Sequence, residues 1–317
     1  MKVVARMSSR VGIAVAVVVA LAAGAVWSPS PAGADPAPNG FMLLGADGGL
    51  FPFGVNLAGI PASDPTRCVA NVTDREMPNG SCFSMALTPS GAGYWVLDGD
   101  TGRIYPYGTA VDHGQPADAF VGVSREFVPT FRQIVPTPTG QGYWIYEVGA
   151  ADSGIIEHFG DAGFYGDTAN LELVQHAALN GSAVGMARTP DGKGYWEVRS
   201  DGGVFSFGDA KFYGSLGGIR LSKPVIGIVA TASGKGYWLY ASDGGVFAFG
   251  DAVFAGSAAG IRLNAPIVGM ARSTVGSGYW LAAADGGVFA YGDVPFATSL
   301  LTYGVHLHSP IVAIATR

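Results

Sequence analysis

Residues 224–265 read PVIGIVATASGKGYWLYASDGGVFAFGDAVFAGSAAGIRLNA, and at Pro266 the same text begins again as PIVGMARSTVGSGYWLAAADGGVFAYGD. It has already run once from Ala183, as AVGMARTPDGKGYWEVRSDGGVFSFGDAKFYGSLGGIRLSK. The spacing from Trp196 to Trp238, and from Trp238 to Trp280, is 42 residues. Self-similarity at a fixed period decides the architecture before any single residue does. Within one period PVIGIVA, GYWLYAS, VFAFG and VFAGS read as four short strands. They are separated by SGKG, DGG and GDA, where Gly is free to take positive φ and Asp bonds nearby backbone. Four strands in about 42 residues is the size of a propeller blade, and no window carries the 3.6-residue period of a helical repeat.

Counting outward gives six blades. The second strand recurs at Phe41-Met42, Tyr94-Trp95, Tyr143-Trp144, Tyr195-Trp196, Tyr237-Trp238 and Tyr279-Trp280. The third recurs as LFPFG, RIYPYG, IIEHFG, VFSFG, VFAFG and VFAYG. One first strand is missing before Phe41, and the terminal stretch SPIVAIATR supplies it. The fold expected is all-β: a six-bladed β-propeller of four-stranded blades, closed by the C-terminal strand joining the N-terminal blade. Such closure removes free sheet edges. Ile311, Val312 and Ile314 are expected to be buried beside the Phe41 strand, and the recurring aromatics to pack blade against blade.

The order P-x-x-x-x-A-T-P-x-G-x-G-Y-W-x-x-x-S-D-G-G-V-F resembles the blade phase of NHL-type propellers, whose first strand lines the central channel. The text GKGYWLYASDGGVFAFGDAVFAGS is similar to repeats of secreted actinobacterial proteins. The resemblance covers residues 40–317 and is most specific in blades four to six. It implies a fold, and no catalytic residue is carried over from it.

Residues 1–34 read as a signal peptide. Lys2, Arg6 and Arg10 precede an apolar run over 11–26, and Ala32-Gly33-Ala34 fits a cleavage site. A short linker, 35–39, and the propeller, 40–317, follow. The whole chain carries 18 Lys and Arg against 24 Asp and Glu; removal of the leader leaves 15 against 24, a formal charge of −9. That balance argues against nucleic acid or an anionic membrane as partner. A secreted, extracellular or envelope-located monomer without a membrane span is expected, binding an unidentified protein or glycan.

Length variation points to one face. The Trp-to-Trp distances of the first three blades, counted from Met42, are 53, 49 and 52 residues, against 42 in the regular blades. The turn before GYW keeps its length, so the extra residues collect on the rim formed by the second-to-third turns and the blade-to-blade connections. The insertions fall at 64–79, 112–130 and 167–180. Loops on a rigid scaffold are where function concentrates. The binding candidates are Arg125, Glu126, Phe127 and Phe131 in the middle insertion, flanked by His113 and His176. Aromatic and Arg side chains are frequent anchors of binding surfaces. Cys68 and Cys82 are the two cysteines; in an exported chain they are expected to form a disulfide worth about 3 kcal/mol.

Catalytic patterns are sparse. No G-x-S-x-G elbow occurs, the five histidines are scattered, and His306 and His308 lack a third ligand, so neither metal nor cofactor is expected. Six glutamates leave room for a glycosidase-like hydrolase or lyase at the channel mouth as the alternative to a binding protein, but no spacing selects a pair. Arg188 and Arg272 fill a position that is Ala230 in blade five.

Overall fold

The computed structural model describes residues 40–53, 82–116, 130–149, 152–175, 179–294, 299–303 and 307–316. Among them are six three-stranded antiparallel sheets. Blade 2 comprises β3 (Cys82–Leu87), β4 (Gly93–Asp98) and β5 (Ile104–Gly108); blade 3 comprises β6 (Thr130–Pro136), β7 (Gly142–Val148) and β8 (Gly154–Gly160). Blade 4 is β9 (Ala183–Arg188), β10 (Gly194–Arg199) and β11 (Val204–Gly208); blade 5 is β12 (Val225–Ala230), β13 (Gly236–Ala241) and β14 (Val246–Gly250). Blade 6 is β15 (Ile267–Arg272), β16 (Tyr279–Ala283) and β17 (Val288–Tyr291). Blade 1 joins β1 (Phe41–Gly45) and β2 (Leu50–Phe53) to β18 (Ile311–Ala315) from the other end of the chain. The six first strands neighbour one another in chain order, and β18 also lies beside β3. One α-helix, α1 (Thr168–Gln175), sits in the connection from blade 3 to blade 4. No helix of the described residues is long and apolar enough to cross a membrane.

The all-β, six-bladed reading holds, and the C-terminal strand pairs with the Phe41 strand, Met42 opposite Ala315. Ile311 is fully buried, whereas Val312 and Ile314 are half-buried because they line the central channel.

The expected fourth strand is the correction. Residues 252–257, and their counterparts in blades 2–4, run along the blade edge without joining a ladder. Phe254 is 58% exposed. Side chains claim the backbone groups that a ladder would need. In blade 5 the Trp238 indole donates to Val253 O (2.9 Å), and the Tyr279 hydroxyl of blade 6 donates to Gly256 O and accepts from Ala255 N (3.2 Å). The same pair acts in blade 4, where Trp196 donates to Lys211 O and Tyr237 bonds Gly214 O and Tyr213 N. Blade 3 repeats it through Trp144 and Tyr195, and blade 2 through Trp95 and Tyr143. Gly256, at φ 143°, takes a conformation that an L side chain would resist, and a Cβ there would run into the Tyr291 ring. The tryptophan thus holds the outer segment of its own blade, and the tyrosine that of the preceding blade. Both rings are buried between blades, so one dipeptide supplies packing and polar satisfaction together.

Candidate functional site at the channel mouth

Every first strand carries a β-bulge near its start, which leaves one residue outside the ladder. These residues are Phe83, Arg132, Val184, Ile226, Val268 and Val312. A bulge re-aims its side chain, and all six line a cavity of about 510 Å³ along the channel. The next residue in each strand forms a second ring: Ser84, Gln133, Gly185, Gly227, Gly269 and Ala313. The wall is aliphatic over Gly or Ala in blades 4, 5, 6 and 1. In blades 2 and 3 it becomes aromatic, cationic and polar.

The polar wall is fixed in place. Ser84 Oγ accepts from Ile134 N (3.3 Å), and Gln133 Oε1 accepts from Met186 N (3.0 Å), so each reaches the first strand of the following blade. The Arg132 guanidinium lies 5.1 Å from the centroid of the Phe83 ring, within cation–π range. Burial lowers its pKa from the ordinary value, and the charge of Asp152 pulls it back up. Ser182 Oγ donates to Asp152 Oδ2 (3.0 Å). Asp152, in the β7–β8 turn, has φ 60° and is the one non-glycine with positive φ among the described residues. Aspartate tolerates the left-handed region better than most residues, and such geometry clusters at functional sites. The mouth therefore offers a fork of N–H donors on an aromatic shelf, with a carboxylate and a hydroxyl beside it. That set suits hydroxyl and acyl groups of a ligand.

A second departure lies just behind it. Three residues after the second-strand Trp, or after Met42 in blade 1, the blades carry Gly45, Asp98, Glu147, Arg199, Ala241 and Ala283. The three charged residues all fall in blades 2–4 and are 4, 5 and 2% exposed. Asp98 Oδ1 accepts from Asp100 N and Thr101 N, and Arg199 Nε donates to Asn180 O and Gly181 O. Glu147 Oε2 has no hydrogen-bond partner; burial, then Glu157 and Asp167, push its pKa up to about 7.

Glu197 stands where Val96, Ile145, Leu239 and Leu281 stand in other blades. It is fully buried and accepts from Thr168 N (3.1 Å), Thr168 Oγ1 (2.8 Å) and Tyr146 OH (3.3 Å). Burial raises its pKa to about 8, against the lowering effect of these bonds. Asp167 caps α1 by accepting from Asn170 N (2.8 Å). The third insertion is thereby anchored to blade 4. Neither Glu147 nor Glu197 lines the cavity. No group of three or more His, Cys, Asp or Glu able to hold a metal occurs among the described residues.

The residues singled out in the sequence separate. Phe131 is not on the rim: it is 1% exposed, packed with Leu97, Ile104 and Ile145, and its ring lies against Gly102. His113 sits on the opposite face, half-buried, with Nε2 3.3 Å from Gly140 O and its ring edge-on to Tyr143. Tyr165 and Tyr213 hold the same place in the next blades, bonding Gly192 O and Gly234 O, so His113 is a blade-to-blade contact. Arg125, Glu126, Phe127, His176 and Cys68 lie outside the described residues. Cys82 is buried and is not a free thiol.

Sequence reasoning missed Phe83, Arg132, Gln133 and Asp152. The signal was present: FRQIVP in blade 3 replaces the V-G-M-A pattern of blades 4 and 6. No family model and no curated protein matches the chain. Among solved structures, the β-propeller domain of Cps50 (Swd1) from Myceliophteria thermophila superposes with a TM-score of 0.43 at 9% identity, covering 75% of this chain and 73% of that one.

Proposed function

We propose that this chain is an exported, non-catalytic binding propeller that holds a protein or glycan ligand at the channel mouth of blades 2–4. One observation carries the reading. The channel ring is aliphatic in four blades and turns into Phe83, Arg132, Ser84 and Gln133 in the two adjoining ones, beside Asp152 in a left-handed conformation. Arg125, Glu126 and Phe127 precede Thr130 in the sequence, outside the described residues, and we propose them as further ligand contacts. Export is supported by the basic and apolar pattern of residues 1–34, and we propose that Cys82 pairs with Cys68.

The test is retention of envelope proteins and glycans by immobilised residues 35–317. Replacing Arg132, Ser182 and Asp152 by Ala, Ala and Gly should abolish retention with the melting temperature nearly unchanged. Replacing Lys193, Lys235 and Ser277 by Ala on the other face should leave retention intact. The reverse pattern would place the working surface on the wrong face.

A further inference from the structure

Four of the six bulge side chains that line the cavity are branched and aliphatic: Val184, Ile226, Val268 and Val312. They come from consecutive blades, 4, 5, 6 and 1, and each is only half-buried. Together they form an apolar collar around most of the channel, and covering it is favourable in proportion to the area taken from water. Phe83 and Arg132 complete the ring in blades 2 and 3. Among the described residues of the wall, Arg132 is the one cation and Asp152 the one anion. The Arg132 guanidinium lies 5.1 Å from the Phe83 ring centroid and donates no hydrogen bond to a described residue. Asp152 acts on it through charge, without a hydrogen bond, and already accepts from Ser182 Oγ (3.0 Å). Five N–H donors therefore border the cavity without a fixed acceptor.

A ligand of one character does not suit this wall. A wholly apolar occupant would cover the collar but strip water from the guanidinium without replacing its hydrogen bonds. A small anion would meet the guanidinium and leave the collar wet. An aliphatic chain that ends in a carboxylate serves both, because two coplanar oxygens match the guanidinium fork and the methylenes lie against Val and Ile side chains. The cavity, about 510 Å³, has the size of a small-molecule site.

We propose that the channel takes an amphiphilic carboxylate, its carboxylate on Arg132 and its aliphatic part against Val184, Ile226, Val268 and Val312. The proposal rests on the reading of the channel mouth as a binding site and names the chemistry that enters it. The test is calorimetric titration of residues 35–317 with butanoate, hexanoate, octanoate, acetyl-leucine and octanol in separate arms, at ionic strength held constant with chloride. Saturable binding of octanoate or acetyl-leucine is expected, and the tighter of the two distinguishes a fatty acid from the carboxyl end of a peptide as the source. Affinity should rise from butanoate to octanoate by up to about fourfold per methylene. Octanol, and octanoate with the Arg132→Ala variant, should bind at least about tenfold more weakly than octanoate with the parent, the scale of one lost charge-assisted contact. Ile226→Ala should weaken octanoate as well. No saturable binding of octanoate or acetyl-leucine, a flat chain-length series, or equal affinity of the Arg132→Ala variant would overturn the proposal. The two readings fail separately. Retention of envelope material that is lost on mouth substitution, with no carboxylate bound, overturns this proposal alone. Carboxylate binding with retention untouched by those substitutions upholds it and overturns the mouth as the surface for a protein or glycan.

Discussion

Blades 2–4 and blades 5–6 are built on the same registers and filled differently. At the end of the second strand, blades 5 and 6 carry Ala241 and Ala283, whereas blades 2, 3 and 4 bury Asp98, Glu147 and Arg199. At the bulge, blades 5 and 6 present Ile226 and Val268, whereas blades 2 and 3 present Phe83 and Arg132. The tyrosine and tryptophan that hold the outer segments do not change between the two groups. A repeat protein can therefore alter its channel mouth without touching the contacts that join its blades, because the two tasks fall on different positions of the strands. Buried ionisable groups need partners, and three of the four Asp, Glu and Arg on the second strands of blades 2–4, Asp98, Arg199 and Glu197, find them in the structure specific to their own sector. Arg199 holds the returning chain at Asn180 and Gly181, Glu197 holds the start of α1, and Asp98 holds its own turn.

The harshest way to break the comparison is on the regular side. Removing residues 309–317 deletes β18, its ladder to β1, and part of the aliphatic channel wall. Loss of cooperative thermal unfolding is expected; a truncated chain that melts like the parent would show that the strand is dispensable.

A smaller effect sharpens the irregular side. Glu147 holds its proton to about pH 7 in the folded chain, against an ordinary value of 4.5. Between those values the folded state binds more protons than the unfolded state, so this group's stabilising contribution is complete below pH 4.5 and declines up to pH 7. Glu197, raised to about 8, adds to the same slope. Glu147→Gln removes one titration, so its stability should fall less steeply than the parent's from pH 5 to 8 in denaturant melts. Parallel curves would contradict the environment described for Glu147.

Much of this was legible beforehand. Trp196, Trp238 and Trp280 at a 42-residue spacing announce the blades, and the missing first strand before Phe41 announces the pairing of residues 311–315. The fourth strand was misread because VFAGS has strand composition. Side-chain pattern reports which faces are apolar, but not that a Trp indole and a Tyr hydroxyl occupy the backbone groups of that segment. Phe131 was misassigned for a related reason: an aromatic next to an insertion looks exposed until β6 is known to begin at Thr130 and turn that ring inward. Arg132 and Asp152 escaped notice because their shared location depends on a bulge and a turn conformation that spacing alone does not encode. Glu197 was the clearest missed signal, a carboxylate in a column of Val, Ile and Leu.

In blades 2–5 side chains, and not a fourth ladder, hold the outer edge. Native-state hydrogen exchange of Tyr237→Phe tests it most directly. The lost hydroxyl accepts from Tyr213 N (3.2 Å) and donates to Gly214 O. Its removal should cost about 1 kcal/mol in global stability. It should also strip protection from the Tyr213 amide while the ladder amides of β12 and β13 keep theirs. If the Tyr213 amide stays as protected as before, a strand pairs with that segment and the account of the blade edge is wrong.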